Sequence, residues 1–495
     1  MGTDGRSAVS VLIRLFFDYV VLPCTLNGIR YEVPHLGEQM VVFKRLVAAS
    51  VWFFGASVIG QTIQEDMRLV AEEVAEEDYF GFDIDICGTT AIIGAPSDYA
   101  KIFNSGHAYL YNIETGEQLR QLVGQDVWAN AWVASSVAIS GNTAIAAAPR
   151  DYRLGFGLGS VLVFDTCTGD QRFKLSQTKT DNGDEGDFFG WSVDIHENRI
   201  IVGTPLINID GVSNAGAAYI FDAVSGEQLF ELTATDLQPF SWFGESVAIY
   251  RNLAIVGASR IQDIGPNSGG VYVFDVSTGE QINKIIADDT APNSLFGFSV
   301  ALSGTTAIIG AVEDDETGIN AGAAYIFDIE TGVQTHKLMA SDLEERDQFG
   351  WSVDISGTSA IVGSRLSDEG GESSGSAYVF DVITGNQIHK LVASDASAGN
   401  EFGTSVAISG SSALVGSPEH DGEGINSGSA YQFELDVDAL CLADMNNDSI
   451  LNFFDISTFL SAFSAQISVA DFNDDCLYDF FDISAFLTAF SGGCP

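Results

Sequence analysis

One phrase recurs along this chain and constrains its fold more than any other feature. It reads FGFSVALSGTTAIIGA in its clearest copy, and its Phe-Gly returns at intervals of 53 to 56 residues. In the second copy Val133-Ala134 stands in place of Phe-Gly. Self-similarity at a fixed period indicates a repeat architecture, and here it gives seven units. The copies begin at Phe80, Val133, Phe189, Phe243, Phe296, Phe349 and Phe402.

Each copy contains four short runs of β-branched, aromatic and small apolar residues, separated by Gly, Ser or Asn turns. In the fifth copy the runs are Ser299–Leu302, Ala307–Gly310, Ala323–Phe327 and Val333–Met339. Four antiparallel strands in a unit of ~50 residues are typical of a β-propeller blade. A helical repeat would need a 3.6-residue period, which the glycine spacing does not keep. We therefore predict an all-β, seven-bladed β-propeller over residues 61–436.

The strand count predicts how the ring closes. The seventh copy ends after its third strand, at Tyr431–Glu434. Before the first copy, Arg68–Ala71 aligns without gaps with Lys337–Ala340 of the fifth copy, and both segments lead to a Phe-Gly. We expect this amino-terminal strand to complete the last blade, because an unpaired strand edge is a liability in a sheet.

The spacing of the motifs resembles that of a known repeat family. Phe-Gly is followed at a fixed distance by clusters such as Gly94-Ala95-Pro96. This pattern resembles the FG-GAP repeats of integrin-type propellers and covers about residues 65–436. Such repeats carry an Asp-rich calcium loop between their first two strands, but this chain has tight turns there, such as Ser140-Gly141, Ser303-Gly304 and Ser409-Gly410. The resemblance implies the propeller fold without calcium at those positions.

Residues 40–60 have the pattern of a secretory signal peptide. Lys44 and Arg45 precede the apolar stretch Leu46–Ile59, which is shorter than the ~20 residues that span a bilayer. A buried core helix is the alternative. Because residues 1–39 lie before this segment, we hypothesise that translation starts at Met40 and that residues 1–39 are an upstream extension from a wrongly assigned start. The mature protein would begin near Gln61 and be secreted, extracellular or attached to the cell surface, with no transmembrane segment.

Two acidic segments near the carboxyl terminus have the spacing of calcium-binding loops. Oxygen side chains occupy loop positions 1, 3, 5, 9 and 12, and a backbone carbonyl is available at position 7, which suits Ca²⁺. The predicted ligands are Asp444, Asn446, Asp448, Ile450, Asn452 and Asp455 in the first loop, and Asp471, Asn473, Asp475, Leu477, Asp479 and Asp482 in the second.

An amphipathic helix is predicted after each loop, since apolar residues recur there at helical spacing. These residues are Ile456, Phe459, Leu460 and Phe463, and then Ile483, Phe486, Leu487 and Phe490. We expect the duplicated unit to be a small α-helical module over residues 441–495 that binds two Ca²⁺ ions and needs them to fold, because its acidic loops repel one another without metal.

The duplicated loop and helix resemble a dockerin, and the FFDIS phrase and terminal Gly-Cys-Pro resemble the variant common on secreted planctomycete-type proteins. Position 6 of the loops departs from the usual Gly and is Ser449 or Cys476. The resemblance implies a cohesin-like or cell-surface protein as partner. Two Phe pairs occupy the positions that contact it, either as an exposed docking surface or as core: Phe453, Phe454, Phe480 and Phe481.

Five cysteines remain in the predicted mature chain, and secretion would permit disulfides. Cys441 and Cys494 bracket the carboxy-terminal module and are the predicted pair, with Cys476 as an alternative partner. We interpret Cys87 and Cys167 as free thiols.

The charge balance excludes whole classes of partner. The chain has 68 Asp and Glu against 21 Lys and Arg, a formal net charge of −47, so a basic patch for nucleic acid or anionic membranes is excluded. We expect the acids to gather on one propeller face, in the loops after each Gly-Ala-Pro and before each Phe-Gly, and to attract cations or basic partners. These acids are Glu72, Glu73, Glu76, Glu77, Asp78, Asp314, Asp315, Glu316, Asp368, Glu369, Glu419, Asp421 and Glu423.

The sequence contains no His-Glu-x-x-His, Gly-x-Ser-x-Gly, Cys-x-x-Cys or phosphate-loop motif. His336 and His389 share one repeat position, and we interpret both as solvated. The second copy alone departs from the consensus, and its Trp128 and Trp132 either stack on a sugar or pack. We predict a secreted, non-enzymatic binding, adhesion or scaffold protein with a protein or glycan ligand on the propeller face. The alternative is a secreted polysaccharide-degrading lyase or hydrolase that its dockerin places in an assembly.

Overall fold

The fold is described from a computed structural model of the chain. The structure describes residues 61–73, 75–98, 105–152, 158–177, 186–435, 453–464, 470 and 480–492. The predicted upstream extension and signal peptide lie outside these ranges.

Seven antiparallel sheets form seven blades, in chain order and at the predicted period. Two short strands, β1 (Gln61–Gln64) and β2 (Met67–Leu69), precede the first complete blade. Blades 1 to 3 contain β3 (Ile84–Cys87), β4 (Thr90–Ala95), β5 (His107–Asn112) and β6 (Glu117–Leu122); β7 (Val137–Ser140), β8 (Thr143–Ala148), β9 (Ser160–Asp165) and β10 (Gln171–Leu175); and β11 (Val193–His196), β12 (Arg199–Thr204), β13 (Ala217–Asp222) and β14 (Gln228–Leu232).

Blades 4 to 7 repeat the same arrangement, except that the last contributes only three consecutive strands. They contain β15 (Val247–Tyr250), β16 (Leu253–Gly257), β17 (Val271–Asp275) and β18 (Gln281–Ile285); β19 (Phe296–Ser303), β20 (Thr306–Ala311), β21 (Ala323–Asp328) and β22 (Val333–Leu338); β23 (Phe349–Ser356), β24 (Ser359–Ser364), β25 (Ser376–Asp381) and β26 (Gln387–Val392); and β27 (Ser405–Ser409), β28 (Ser412–Ser417) and β29 (Ser429–Glu434).

The first strand of every blade lies against the first strand of the next, and β27 contacts β3, so the seven blades form a closed ring around a channel. The second and third strands are buried on both faces because neighbouring blades cover them, as in the fully buried run from Ala307 to Ala311. The fourth strands alternate between exposed and covered residues, as expected at the outer edge of a sheet. The predicted seven-bladed propeller is confirmed.

The amino-terminal strand closes the ring as predicted. β2 pairs antiparallel with β29, with Arg68 opposite Tyr431, and completes blade 7. The structure adds a second contact that the sequence did not suggest: β1 pairs in parallel with β26 and becomes a fifth strand of blade 6. Two consecutive strands thus tie the start of the described propeller to its last two blades.

The repeated glycines are explained by the distance between blades. The Cβ of an alanine at Gly310 in blade 5 would lie 2.2 Å from the carbonyl oxygen of Gly350 in blade 6, a separation that no side chain tolerates. Gly350 itself has φ of +88°, where a side chain is strained. Phe349, beside it, is fully buried and packs edge-on against Tyr378 and Phe380 of its own blade. The Gly of the cluster at the end of the second strand, here Gly310, and the Phe-Gly of the next blade, here Phe349-Gly350, are therefore the two sides of one interblade contact.

Two helices follow the propeller, α1 (Phe453–Ser464) and α2 (Phe480–Gly492), where the apolar spacing predicts them. Phe459 and Phe486 stack face to face with ring centroids 4.0 Å apart and form the buried centre of the pair. Leu460 and Leu487, which the spacing assigned to the same face, are 48% and 42% exposed. The apolar face is therefore narrower than predicted. No helix in the described ranges is long and apolar enough to span a membrane.

The prediction that Cys87 is a free thiol is wrong, because Cys87 is disulfide-bonded. Cys167 is free and exposed, as predicted. Cys441, Cys476 and Cys494 lie outside the described residues, so the predicted Cys441–Cys494 disulfide stays a prediction.

Candidate binding face at the channel mouth

The two faces of the propeller differ in the length of their connections. Tight turns join the first strand of a blade to its second, as at Gly304 and Gly410, both in the left-handed region. The opposite face carries the longer loops that precede each Phe-Gly and those between the second and third strands. We call it the loop face. It is where the sequence predicts the acidic residues.

Lysines on the outer strands neutralise many of these acids. In blade 5 the Lys337 ammonium lies 2.7 Å from the Asp289 carboxylate, 2.6 Å from Glu316 and 3.2 Å from Asp314. The Tyr325 hydroxyl donates a hydrogen bond to Asp314 at 3.1 Å. Because the carboxylates hold the proton on the ammonium, they raise the pKa of Lys337 despite its burial. Each such lysine joins the loop of its own blade to the loop that leads into the blade.

The same junction recurs in neighbouring blades. Its members are Lys284 with Asp236 and Asp263, Lys390 with Asp342 and Glu369, and Arg68 with Asp395 and Glu423. Other predicted acids fold their own loops: Asp315, Asp368 and Asp421 each accept a backbone N–H five residues further on. The buried Asp78 accepts a hydrogen bond from the backbone N–H of Ala75, three residues before it. The loop face is therefore acidic but not the bare acidic surface that the sequence suggested.

Tryptophans concentrate on the loop face. Five of the six tryptophans lie within five residues of a Phe-Gly position. Together with two phenylalanines, four of them directly precede the Phe position or directly follow the Gly of a motif, and Phe298 and Trp351 of this set line the channel. We call these residues the aromatic arc: Trp132, Phe188, Trp191, Trp242, Phe298 and Trp351.

Rings of the arc meet across blade boundaries. Trp191 of blade 3 lies 6.4 Å from Trp242 of blade 4, and Phe298 of blade 5 lies 4.8 Å from Trp351 of blade 6. Phe188 extends the first contact, 6.0 Å from Trp191. Trp191 keeps 40% of its surface exposed. The other five rings of the arc are half-buried. A cluster of partly exposed aromatic rings is a candidate binding surface.

The backbone directly before each Phe-Gly position has one unusual conformation in every blade. The residue preceding the Phe position has φ between 50° and 58° in all seven blades, a conformation that is uncommon for large side chains. Such strain persists where the surrounding structure fixes it, often at functional sites. These residues are Tyr79, Trp132, Phe188, Trp242, Leu295, Gln348 and Glu401. The remaining arc residues directly follow the Gly of the motif.

Three arginines stack on the tryptophans of alternate blades. The guanidinium carbon lies 3.4 Å from the ring centroid for Arg150 on Trp132, 3.7 Å for Arg260 on Trp242, and 3.5 Å for Arg365 on Trp351. These are favourable cation–π geometries. They also hold the rings in place.

Carboxylates and amides next to the arc complete its polar contacts. The Arg365 guanidinium donates to Glu401 at 2.9 Å and to Gln348 at 3.1 Å. Burial raises the pKa of Glu245 to about 7, and Arg260 opposes that rise. Arg365 and Arg260 thus each have an acidic neighbour, Glu401 and Glu245 respectively.

A cavity of about 1520 Å³ is lined mainly by the first strands of the blades, which form the channel, and it also reaches Gln61 and His389 on the outer strands of blade 6. Its wall carries Asp83, Asp85, Asp194 and Asp354. Burial raises the pKa of Asp83 and Asp194 to about 6 and that of Asp354 to about 7; it raises that of Asp85 well above its usual value, helped by the neighbouring carboxylates.

These carboxylates have a structural role. Asp194 accepts the N–H of Ile195 on one oxygen and that of Ile249, in the next blade, on the other, each at 2.7 Å. Asp354 bridges Ile355 and Ile408 in the same way. The first strands are sheet edges, whose N–H groups need acceptors, and the Asp side chains provide them. They tie adjacent blades together inside the channel.

The turn face is also irregular, at blades 3 and 4. Most of its turns contain Gly, but Glu197 and Arg251 occupy this position here with positive φ. The His196 and Tyr250 rings lie 4.3 Å apart at the channel wall. Burial and the nearby Arg251 lower the pKa of His196 to about 4. The prediction that only the second copy is irregular is therefore wrong.

His336 and His389 differ although they share a repeat position. His336 lies near the surface, with Nε2 3.0 Å from the carbonyl oxygen of Ile383. His389 is 6% exposed and lies opposite Gln61 of β1. The interpretation of His389 as a solvated residue is thus wrong, because the unexpected strand β1 covers it.

The structure describes only some of the residues that the carboxy-terminal predictions concern. Most predicted calcium ligands lie outside the described residues; the backbone of Asp455 lies in α1, and the Asp482 side chain is fully buried at the start of α2. Phe453, Phe480 and Phe481 are 73%, 66% and 64% exposed, so they are not core. The side chain of Phe454 is not described. Within the described ranges no group of three His, Cys, Asp or Glu side chains is placed to hold a metal ion.

The ring of seven blades, six of four strands and one of five, is locked by paired glycines, presents loops on one face and defines a β-propeller of the binding type. The FG-GAP repeat family model matches residues 63–111, 178–221, 227–274, 280–327, 333–380 and 386–433, more than half of the chain. The chain belongs to the FG-GAP repeat family. Blade 2, where Val133-Ala134 replaces the motif, falls between the matches. Comparison with curated protein sequences gives no match.

Proposed function

We propose that this protein is a secreted, non-enzymatic binding protein, whose propeller holds a protein or glycan ligand on its loop face and whose carboxy-terminal module attaches it to a second protein. The aromatic arc carries the proposal for the propeller. Tryptophan and arginine dominate the few residues that supply most binding energy at interfaces. Here they are fixed on a rigid ring of sheets, the arrangement in which loops commonly carry function.

The proposal for the carboxy-terminal module rests on its sequence and on three exposed rings. Phe453 opens α1 as Phe480 opens α2, and both are largely exposed. Large exposed apolar groups at equivalent positions of a duplicated unit suit a docking surface for a cohesin-like or cell-surface protein. Asp444 and its partners in the first loop, and Asp471 and its partners in the second, would hold one Ca²⁺ each, and the ions would order the loops that lead into the helices.

Secretion remains part of the proposal and rests on residues 40–60. Amino-terminal sequencing of the protein isolated from its native cell tests it directly. A mature amino terminus near Gln61 supports secretion, and peptides from residues 1–39 would contradict both the cleavage and the start at Met40.

A second candidate, a polysaccharide-degrading lyase or hydrolase, is favoured by one observation. The channel carboxylates have pKa values that suit proton transfer near neutral pH, namely about 6 for Asp83 and about 7 for Asp354. Their hydrogen bonds to backbone N–H groups explain their presence without catalysis. If the protein releases reducing ends from a polysaccharide panel, and Asp83→Asn or Asp354→Asn does not, the protein is an enzyme and the non-enzymatic proposal is wrong.

The binding function is tested on the full chain with glycan and extracellular-protein arrays in calcium. We expect a ligand whose binding is lost in the double variant Trp191→Ala/Trp242→Ala. Trp128→Ala is the matched control, since Trp128 is 53% exposed but lies outside the arc. Calcium removal should abolish binding to the docking partner but leave the loop-face ligand bound. If no ligand depends on the arc, the proposal for the propeller fails.

A further inference from the structure

We infer that the ligand of the aromatic arc is a neutral polysaccharide chain that lies along the channel rim. The inference rests on the proposed binding function and narrows it to one class of ligand. It follows from the shape of the arc, its electrostatics and its polar groups.

The shape of the arc favours a chain over a globular partner. In protein interfaces the strongest contacts cluster at the centre of the patch, where a surrounding rim excludes water. The arc instead follows the loop-face ends of the inner strands, which line an open channel, and Phe298 and Trp351 are part of the channel wall. A flexible polymer that follows the rim can contact successive rings without covering the opening.

The aromatic contacts give such a polymer consecutive supports. Trp191 and Trp242, 6.4 Å apart and roughly perpendicular at 69°, present ring surfaces from two adjacent blades. Phe298 and Trp351 form a second pair two blades further round. The apolar faces of sugar rings can cover such surfaces and remove them from water, which is favourable in proportion to the area buried.

Charge decides between neutral and acidic polymers. Two of the three arginines of the arc have carboxylate neighbours: Arg365 pairs with Glu401 at 2.9 Å, and Arg260 lies near Glu245. Beyond the arc, exposed acids such as Glu72 and Glu76 give the loop face an excess of negative charge. An acidic polysaccharide would therefore be repelled over the Debye length of about 8 Å at physiological salt. A neutral chain meets no such barrier.

The polar groups beside the rings suit hydroxyls. Arg365 holds Gln348 and Glu401 within hydrogen-bond distance while it stacks over the ring of Trp351, so donors and acceptors lie together beside that ring. Carbohydrate hydroxyls both donate and accept, so they can join this network without leaving a group unpaired. Blades 2 and 4 place the equivalent arginines Arg150 and Arg260 against Trp132 and Trp242.

The test is affinity electrophoresis of the full chain, with calcium, in native gels that contain one polysaccharide each. The neutral probes are galactomannan, glucomannan, mixed-linkage β-glucan and arabinoxylan; the anionic probes are alginate and polygalacturonate. We expect at least one neutral polymer to retard the protein and the anionic polymers to leave its mobility unchanged. Trp191→Ala and Trp242→Ala should each weaken binding at least about tenfold. Trp191→Phe should keep most of it, and Trp128→Ala should change it less than twofold.

Each other result has a distinct meaning. Retardation by an anionic polymer alone, or retardation that the arc variants leave unchanged, overturns the inference. If no polysaccharide binds but a protein on the array requires Trp191 and Trp242, the glycan inference fails while the binding function stands. If neither class of ligand depends on the arc, both fail. Thermal melting of every variant, compared with the parent protein, separates lost binding from lost folding.

Discussion

At the scale of single residues, the glycines of the repeat show how a motif arises from contact between neighbouring units. Gly310 and Gly304 lie on the same strand pair of blade 5, yet only Gly310 faces another blade. A Cβ at Gly310 would meet the Gly350 carbonyl oxygen at 2.2 Å, whereas one at Gly304 would meet nothing within 4 Å. A side chain at Gly310 therefore tests the packing between blades, whereas a side chain at Gly304 tests only the backbone conformation of the turn.

We predict that Gly310→Ala lowers the free energy of unfolding by about 3 kcal/mol, because the blades must move apart. Gly304→Ala is the matched control and should cost about 1 kcal/mol, since only its positive φ of 64° opposes a side chain. Denaturant unfolding of both variants measures the difference. Equal losses would show that the close approach of the blades is not what the motif preserves.

Asp354 allows a prediction about pH. Its pKa rises from 3.8 to about 7 on folding, so the folded protein binds the proton more tightly than the unfolded chain. The contribution of this group is fully present below about pH 4 and is lost as the pH rises toward 7. The stability of the parent protein relative to Asp354→Asn should therefore fall by about 4 kcal/mol over this range.

Denaturant unfolding of both proteins from pH 4 to pH 8, at constant calcium, measures this effect. Asp275→Asn is the control of opposite sign: hydrogen bonds from Ser277 lower the pKa of Asp275, so its contribution is lost as the pH falls. A stability difference for Asp354→Asn that is flat across pH would mean that the channel carboxylates are fully solvated.

At the scale of secondary structure elements, the strands were the most predictable part of the chain. The four runs predicted for the fifth copy match β19 to β22 within three residues at every end. Strand period and turn glycines are local, so one sequence suffices to locate them. β1 could not be predicted in this way, because Gln61–Gln64 carries no apolar alternation and pairs through its backbone with an edge that only the folded ring creates.

β2 should contribute far more to stability than β1. Leu69 is 2% exposed and packs in the core with Phe80 and Tyr111, whereas three of the four residues of β1 are exposed. We predict that Leu69→Ala lowers the free energy of unfolding by about 3 kcal/mol. Deletion of residues 61–64 should cost less than half as much. A larger loss from the deletion would show that the covered edge of blade 6, where His389 lies, is the weak point of the ring.

The carboxy-terminal helices should depend on calcium. We expect the full chain to resist chymotrypsin at the Phe residues of α1 and α2 in calcium, and to be cut there after chelation, because the acidic loops repel one another without metal. The buried propeller phenylalanines, such as Phe296 and Phe349, serve as the internal control, since they should stay protected in both conditions. Mass spectrometry identifies the sites. Identical cleavage with and without calcium would contradict a metal-dependent module.

At the scale of the whole molecule, the repeat predicted the architecture, but the binding face depended on contacts between blades. Trp132 stood out in the sequence because it lies in the degenerate copy. Trp191, Trp242 and Trp351 lie in copies that keep the consensus motif, so nothing in the sequence groups them. Only the closed ring places them on the same face. The prediction of a bare acidic face was wrong for the same reason. Lys337 and Asp289 are brought together across a blade boundary only when the ring closes.

The net charge of −47 and the lysine junctions lead to a prediction about salt. Raising the salt concentration shortens the Debye length from about 30 Å at 0.01 M to about 3 Å at 1 M, which weakens repulsion between exposed acids more than it weakens part-buried ion pairs. The melting temperature of the parent protein should therefore rise with sodium chloride.

In Lys337→Met the three carboxylates around this position face one another without their cation, so this variant should melt lower at low salt and gain more from added salt. Arg172→Met is the control, since Arg172 pairs with the single carboxylate of Asp165 on the turn face. Differential scanning fluorimetry at constant calcium measures all three. A melting temperature that falls with salt would mean that attractive junctions outweigh the net charge, and the acidic surface would then need another explanation.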